Sequence, residues 1–131
     1  MSLSKIMHVE DDESIRAVAE VALSDVAGFE LLSCDSGQSA IARAEAFAPQ
    51  LILLDVMMPQ MDGLQTLAAL RQLPSLAQTP VVFMTARIQH AEKQQYLDAG
   101  AIAVIDKPFD PMQLGDTLQN LYQQQCEKTR I

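Results

Sequence analysis

Several kinds of function are excluded by what this sequence lacks. No apolar run approaches the ~18 residues of a membrane-spanning helix. The start, Met1-Ser2-Leu3-Ser4-Lys5, has no apolar segment of the secretory type. Basic residues are few: nine Lys and Arg stand against seventeen Asp and Glu, for a formal net charge of −8. A chain this acidic repels phosphate backbones, which argues against direct nucleic-acid binding. There are two cysteines, Cys34 and Cys126, in no metal spacing and no CxxC. They read as unpaired thiols of a reducing compartment, so a cytoplasmic location is expected. His8 and His90 belong to no HxxxH or Cys/His cluster, which disfavours zinc. There is no internal repeat and no low-complexity linker.

What is present is a strand-type run alternating five times with a helix-type run. The strand candidates are Lys5–Val9, Phe29–Ser33, Leu51–Leu54, Pro80–Met84 and Ala101–Ile105. Most are short and apolar throughout, as strands of a parallel sheet covered on both faces should be. The helix candidates have a different period. Ile15, Val18, Ala19, Ala22 and Leu23 line one face. Ala40, Ile41, Ala44 and Phe47 do the same before Pro49. Leu64, Leu67 and Ala68 begin a third helix that Pro74 ends, and Leu114, Leu118, Leu121 and Tyr122 mark the last. Asp110 and Pro111 suit the entry to that last helix. Gln89–Ala99 is the most polar helix, with Ala91, Tyr96 and Leu97 as its anchors and Gly100 as its cap.

Five βα units in 131 residues predict one α/β domain, a doubly wound five-stranded parallel sheet of order 2-1-3-4-5 and flavodoxin-like type. The domain is expected over 1–131, with a core of about 5–123 and short tails at 1–4 and 126–131. Ligands of such sheets bind beyond the carboxyl ends of the strands. Glu10, Asp11 and Asp12 follow the first strand, Asp55 the third, Thr85 the fourth, and Asp106, Lys107 and Pro108 the fifth. If the fold is right, these groups meet. Carboxylates about 4 Å apart repel by ~4 kcal/mol per pair at an effective dielectric of 20, so a cation or raised pKa values must compensate. Oxygen-only donors on separate loops suit Mg²⁺, with Mn²⁺ or Ca²⁺ as substitutes, rather than zinc or an EF-hand. An aspartate can also be a nucleophile toward phosphorus, with a metal, a cation and a hydroxyl to stabilise the moving charge.

Val9-Glu10-Asp11-Asp12, Leu54-Asp55-Val56-Met57-Met58-Pro59-Gln60-Met61-Asp62-Gly63, Met84-Thr85-Ala86 and Asp106-Lys107-Pro108-Phe109 resemble the receiver domains of bacterial response regulators in residue, order and spacing. The likeness runs from about Lys5 to Gln123. It implies that Asp55 is the phosphorylated residue, that Asp11 and Asp55 bind Mg²⁺ (or Mn²⁺) with the backbone carbonyl of Met57, and that Glu10 completes the acidic pocket through water. It implies that Thr85 hydrogen-bonds the phosphoryl group, that Lys107 pairs with it, and that Lys107–Pro108 is a cis peptide. It implies a phospho-acceptor switch that takes its phosphoryl group from a sensor histidine kinase or a histidine phosphotransfer protein and hydrolyses it itself. It is not an enzyme with a separate substrate. A downstream protein would read the face of helix 4, strand 5 and helix 5, and a monomer or weak dimer is expected. Met57 and Arg87 hold positions that tune the lifetime of the phosphorylated state in the family.

One position departs from the family: Val104 stands where an aromatic residue often acts as a rotamer switch. That leaves a docking module acting without phosphorylation as the alternative. A phosphatase of the haloacid dehalogenase type would need a second Asp at position 57, where Met stands. A flavodoxin-like cofactor binder would need a glycine-rich loop where the first acids lie. The polar end, Cys126–Ile131, fits a stand-alone receiver or one excised from a longer regulator. Simpler roles stand beside these. Asp12 reads equally as a helix cap or a pocket member, Asp62 and Gly63 as turn residues, and Asp106 as a solvated strand end. Met57 and Met58 read as packing residues, His8 as a core or strand-edge histidine, and Tyr96 and Tyr122 as helix anchors.

Overall fold

The structure is a computed structural model that describes residues 2–86 and 90–128, except for the side chains of His90 and Ala91. Strands β1 (Lys5–Val9), β2 (Glu30–Cys34), β3 (Leu51–Asp55), β4 (Val81–Thr85) and β5 (Ala103–Asp106) form one parallel sheet in the order β2-β1-β3-β4-β5. Helices α1 (Glu13–Glu20), α2 (Gly37–Phe47), α3 (Gly63–Arg71), α4 (His90–Asp98) and α5 (Leu114–Lys128) connect and cover it. The order 2-1-3-4-5 is the one the sequence predicts.

The apolar strands divide their side chains between two cores. Met7, Val9, Ile52, Leu54 and Phe83 pack with Ala40 and Ala44 of α2, Leu67 and Leu70 of α3, and Tyr96 of α4. Ile6, Leu51, Leu53, Val82 and Met84 face the other way, onto Leu114, Leu118 and Tyr122 of α5 and onto Ala22 and Leu23. Burial on both faces explains why these strands lack polar alternation. At ~1.5–3 kcal/mol per buried large apolar side chain, the two cores hold the strand ends, and so the loops beyond them, in place.

Three strands begin later than the sequence suggested. The Phe29 N–H bonds to the Leu23 carbonyl at the helix end, so pairing starts at Glu30. Pro80 has no N–H and contributes only its carbonyl, to Ile52 N at 2.9 Å. The Ala101 N–H closes α4 on the Tyr96 carbonyl, at Gly100 with φ +116°, so β5 starts at Ala103. β2, β3, β4 and β5 also run one residue further than expected, to Cys34, Asp55, Thr85 and Asp106. α1 does not stay α-helical to Leu23. From Val21 to Val26 it widens to π-helix, and the Ala27 N–H bonds to the Ala22 carbonyl at 3.1 Å. That turn sets Ala27 against Gly115 of α5, where an added Cβ would lie 2.6 Å from the Ala27 Cβ.

α2 stops before Pro49, with Ala48 left-handed at φ 56°. α3 stops at Arg71, and Pro74 opens a short 3₁₀ turn. Asp110 caps the turn that leads into α5, its Oδ1 accepting from Met112 N at 2.9 Å. No helix among the described residues is long and apolar enough to cross a membrane.

Candidate functional site

The carboxyl ends of β1, β3, β4 and β5 converge. Asp55 and Thr85 are the last residues of their strands and are buried. Glu10 is one residue past β1, where its N–H bonds to the Cys34 carbonyl at 3.0 Å, and it is fully buried. Lys107 follows β5, its N–H bonded to the Thr85 carbonyl at 2.9 Å. Glu10, Asp11 and Asp55 each offer a carboxylate oxygen, all within 4.8 Å of one another. Lys107 Nζ lies 2.6 Å from Glu10 Oε1 and 3.0 Å from Asp55 Oδ1. It donates a hydrogen bond to Asp55. The contact with Glu10 is the shorter of the two ion pairs. Glu10 Oε2 accepts from Asp12 N at 3.2 Å.

One ammonium cannot balance three carboxylates, and the pKa values show the deficit. Burial pushes Glu10 up to about 7, helped by the neighbouring Asp55 carboxylate and opposed by Lys107. Burial also raises Asp55, against the pull of Glu10 and Lys107. Burial alone would lower the Lys107 ammonium, but the two carboxylates outweigh it and hold its pKa above the usual lysine value. The site therefore favours a proton on Glu10, or a cation in its place. Three carboxylates offering only oxygen donors fit a hard dication such as Mg²⁺.

The loop after β3 is built to hold Asp55. Gly63, read from the sequence as a turn residue, is there because of close approach. A Cβ on it would lie 2.4 Å from the Asp55 carbonyl oxygen and 2.8 Å from Val56 Cα. Asp62 caps α3 in a reciprocal box with Gln65, at 2.8 and 3.0 Å. Asp12 is a helix cap, accepting from Ile15 N at 3.1 Å, and it stands outside the three-carboxylate cluster. Met58 packs in the core, whereas the Met57 side chain is 74% exposed and does not pack as expected. Asp106 is exposed, as a solvated strand end should be. Lys107–Pro108 is cis. Val104 is half-buried and pairs in register with Phe83, whose ring meets Tyr96 at 5.4 Å. Tyr96 and Tyr122 are buried helix anchors. Neither Cys34 nor Cys126 is joined in a disulfide among the described residues. Arg87 lies outside the described residues.

One residue at the site was not singled out from the sequence. Arg16 Nη1 donates to the carbonyls of Glu10 at 2.8 Å and Asp11 at 3.0 Å. Its place on the first turn of α1, six residues past Glu10, was the only signal. His8 was read as a core or strand-edge histidine, and it lies in the core. It is fully buried on the same sheet face as Ile6, and neither ring nitrogen has a hydrogen-bond partner among the described residues. Burial, then the Lys107 and Arg16 charges, lower its pKa to about 4, so it is neutral.

The family model of the response regulator receiver domain matches residues 6–119. This chain belongs to that family. The receiver is 34% identical to the alkaline phosphatase synthesis transcriptional regulatory protein PhoP of Bacillus subtilis over 110 residues, 84% of this chain and 45% of that protein. It is also 34% identical to the signal transduction histidine-protein kinase BarA of Escherichia coli K12 over 113 residues, 86% of this chain and 12% of that protein. The receiver thus spans less than half the length of these two relatives. Among solved structures, chemotaxis protein CheY4 of Vibrio cholerae superposes with a TM-score of 0.85 at 32% identity, covering 92% of the receiver and 99% of that chain. Receiver domains are signalling switches of two-component systems, and their acidic pocket binds Mg²⁺.

Proposed function

We propose that Asp55 is the phospho-acceptor of this receiver and that it takes a phosphoryl group from a phosphohistidine, on a sensor kinase or a phosphotransfer protein. The observation that carries this reading is the buried Asp55 held 3.0 Å from Lys107 beside two further carboxylates. Asp11 and Asp55, with the Met57 carbonyl, would hold Mg²⁺, or Mn²⁺ in its place, and Glu10 would bind it through water. The ion would supply neutralising charge for the phosphoryl oxygens.

An Asp55 carboxylate oxygen forms the new bond to phosphorus. The donor's P–N bond breaks, and its electron pair leaves on the imidazole nitrogen. Lys107 exchanges part of its pairing with Asp55 for the incoming phosphoryl oxygens, and the Thr85 hydroxyl donates to another. Hydrolysis reverses the gain, with water attacking phosphorus and Asp55 restored as carboxylate. An apolar cleft of about 420 Å³ opens between α1 and Lys107–Phe109, next to the site, and offers the donor a seat. The protein would work in the cytoplasm as a switch rather than as an enzyme on an external substrate. It would act as a monomer or weak dimer, read by a downstream protein at α4, β5 and α5.

Peptide mapping after incubation with a small phosphodonor and Mg²⁺ tests the assignment. A base-labile phosphoryl group on the peptide containing Asp55 is expected. A stable phosphoryl group on serine, threonine or another peptide would overturn it. Unimpaired partner binding with no phosphoryl uptake would favour the docking module instead.

A further inference from the structure

We infer that Arg16 is a positioning residue for the divalent-cation site, acting through the backbone on either side of Asp11. The inference rests on the cation site proposed above. Asp11 is exposed, follows the end of β1 and precedes the cap of α1. A side chain on such a loop has no strand ladder to aim it. Arg16 supplies the constraint. The Glu10 carbonyl belongs to the peptide plane before Asp11, and the Asp11 carbonyl to the plane after it. Both accept from the same Arg16 nitrogen, at 2.8 and 3.0 Å. Peptide units are planar, so tying both carbonyls to one nitrogen restrains φ and ψ of Asp11, and with them the direction in which its side chain leaves the backbone. Arg16 is itself anchored, because its own N–H bonds to the Asp12 carbonyl at 2.9 Å in the first turn of α1.

Two effects of Arg16 on a bound dication have opposite signs. As a mere charge, it repels the ion, so removing it would tighten binding. As a positioner of Asp11, it favours the ion, so removing it would loosen binding. Residues that orient a metal's ligands typically alter affinity by ~10–100-fold when lost.

Mn²⁺ titration of the full chain without phosphodonor, read by the EPR signal of the free ion, separates the two. Arg16→Met is expected to weaken Mn²⁺ by ~10-fold. Arg16→Lys keeps the charge but not the fixed reach to two carbonyls, and is expected to weaken it by ~3-fold or more. In an Asp11→Asn background, Arg16→Lys should leave the remaining Mn²⁺ binding unchanged, because the residue it aims has lost its charge. Wild-type affinity in Arg16→Lys, or tighter binding in Arg16→Met, would overturn the inference while leaving the cation site standing. A wild type that binds no Mn²⁺ would overturn the cation site and this inference together.

Discussion

In the metal-free protein, Glu10 and His8 exchange protonation states on folding, and their effects on stability oppose each other. The folded Glu10 has a pKa of about 7 against an ordinary 4.5. Between those values the folded state keeps a proton that the unfolded state has lost, so stability falls as pH rises. The folded His8 has a pKa of about 4 against an ordinary 6.5. Between those values the unfolded state binds a proton that the folded state refuses, so stability falls as pH drops. Each shift of about 2.5 units corresponds to ~3 kcal/mol. The raised Asp55 adds to the Glu10 side. In the wild type the two slopes largely cancel from pH 4.5 to 6.5. Single substitutions uncover them. Glu10→Gln should be more stable than wild type by an amount that grows with pH to ~3 kcal/mol above pH 7. His8→Leu removes two unpartnered ring nitrogens, and its stability relative to wild type should improve by a similar amount from pH 7 to pH 4. Urea denaturation in EDTA at half-unit pH intervals measures both. Parallel pH profiles for the three proteins, or slopes of the opposite sign, would refute the assignment of these protons.

Further expectations follow from the same geometry. Lys107→Met leaves buried Glu10 and Asp55 without their cation, and should cost the metal-free protein ~3 kcal/mol at pH 8. Millimolar Mg²⁺ should recover most of that loss in a thermal melt. Gly63→Ala drives a methyl group into the Asp55 carbonyl and should destabilise by ~3 kcal/mol; an effect near zero would show that the loop can yield. On phosphorylation, amide resonances of Leu97, Val104 and Leu118 should shift together if the signal spreads without an aromatic switch at 104. Shifts confined to the loops around Asp55 would contradict that.

Much of the fold was legible because burial on both faces leaves its mark on strands such as Leu51–Asp55, whose residues are all buried. Helix stops were legible where a residue has one conformational use, as at Pro49 and Gly100. Boundaries shifted where a backbone group answers to another element: Phe29 to the end of the first helix, Ala101 to α4. The π-helical turn at Val21–Val26 was not legible, since it is a widening of the backbone hydrogen bonds, such as Ala27 N–H to the Ala22 carbonyl, that no residue pattern marked. At the site, the acids and Lys107 were readable because four strand ends had to meet. Arg16 was not, because it acts by reaching back to backbone carbonyls, which have no residue code. Gly63 was read as a turn residue, since a close approach and a turn conformation look alike in sequence. Asp12 had two equal readings until its bond to Ile15 N decided for the cap.

The central claim is that clustered acids make a hard dication the condition for Asp55 to react. Intact-mass spectrometry of the wild type and Asp55→Asn, each incubated with a small phosphodonor in Mg²⁺ and in EDTA, tests it most directly. One added phosphoryl group is expected on the wild type in Mg²⁺ and none in the other three samples. Equal uptake by the wild type in EDTA, or uptake by Asp55→Asn, would contradict it.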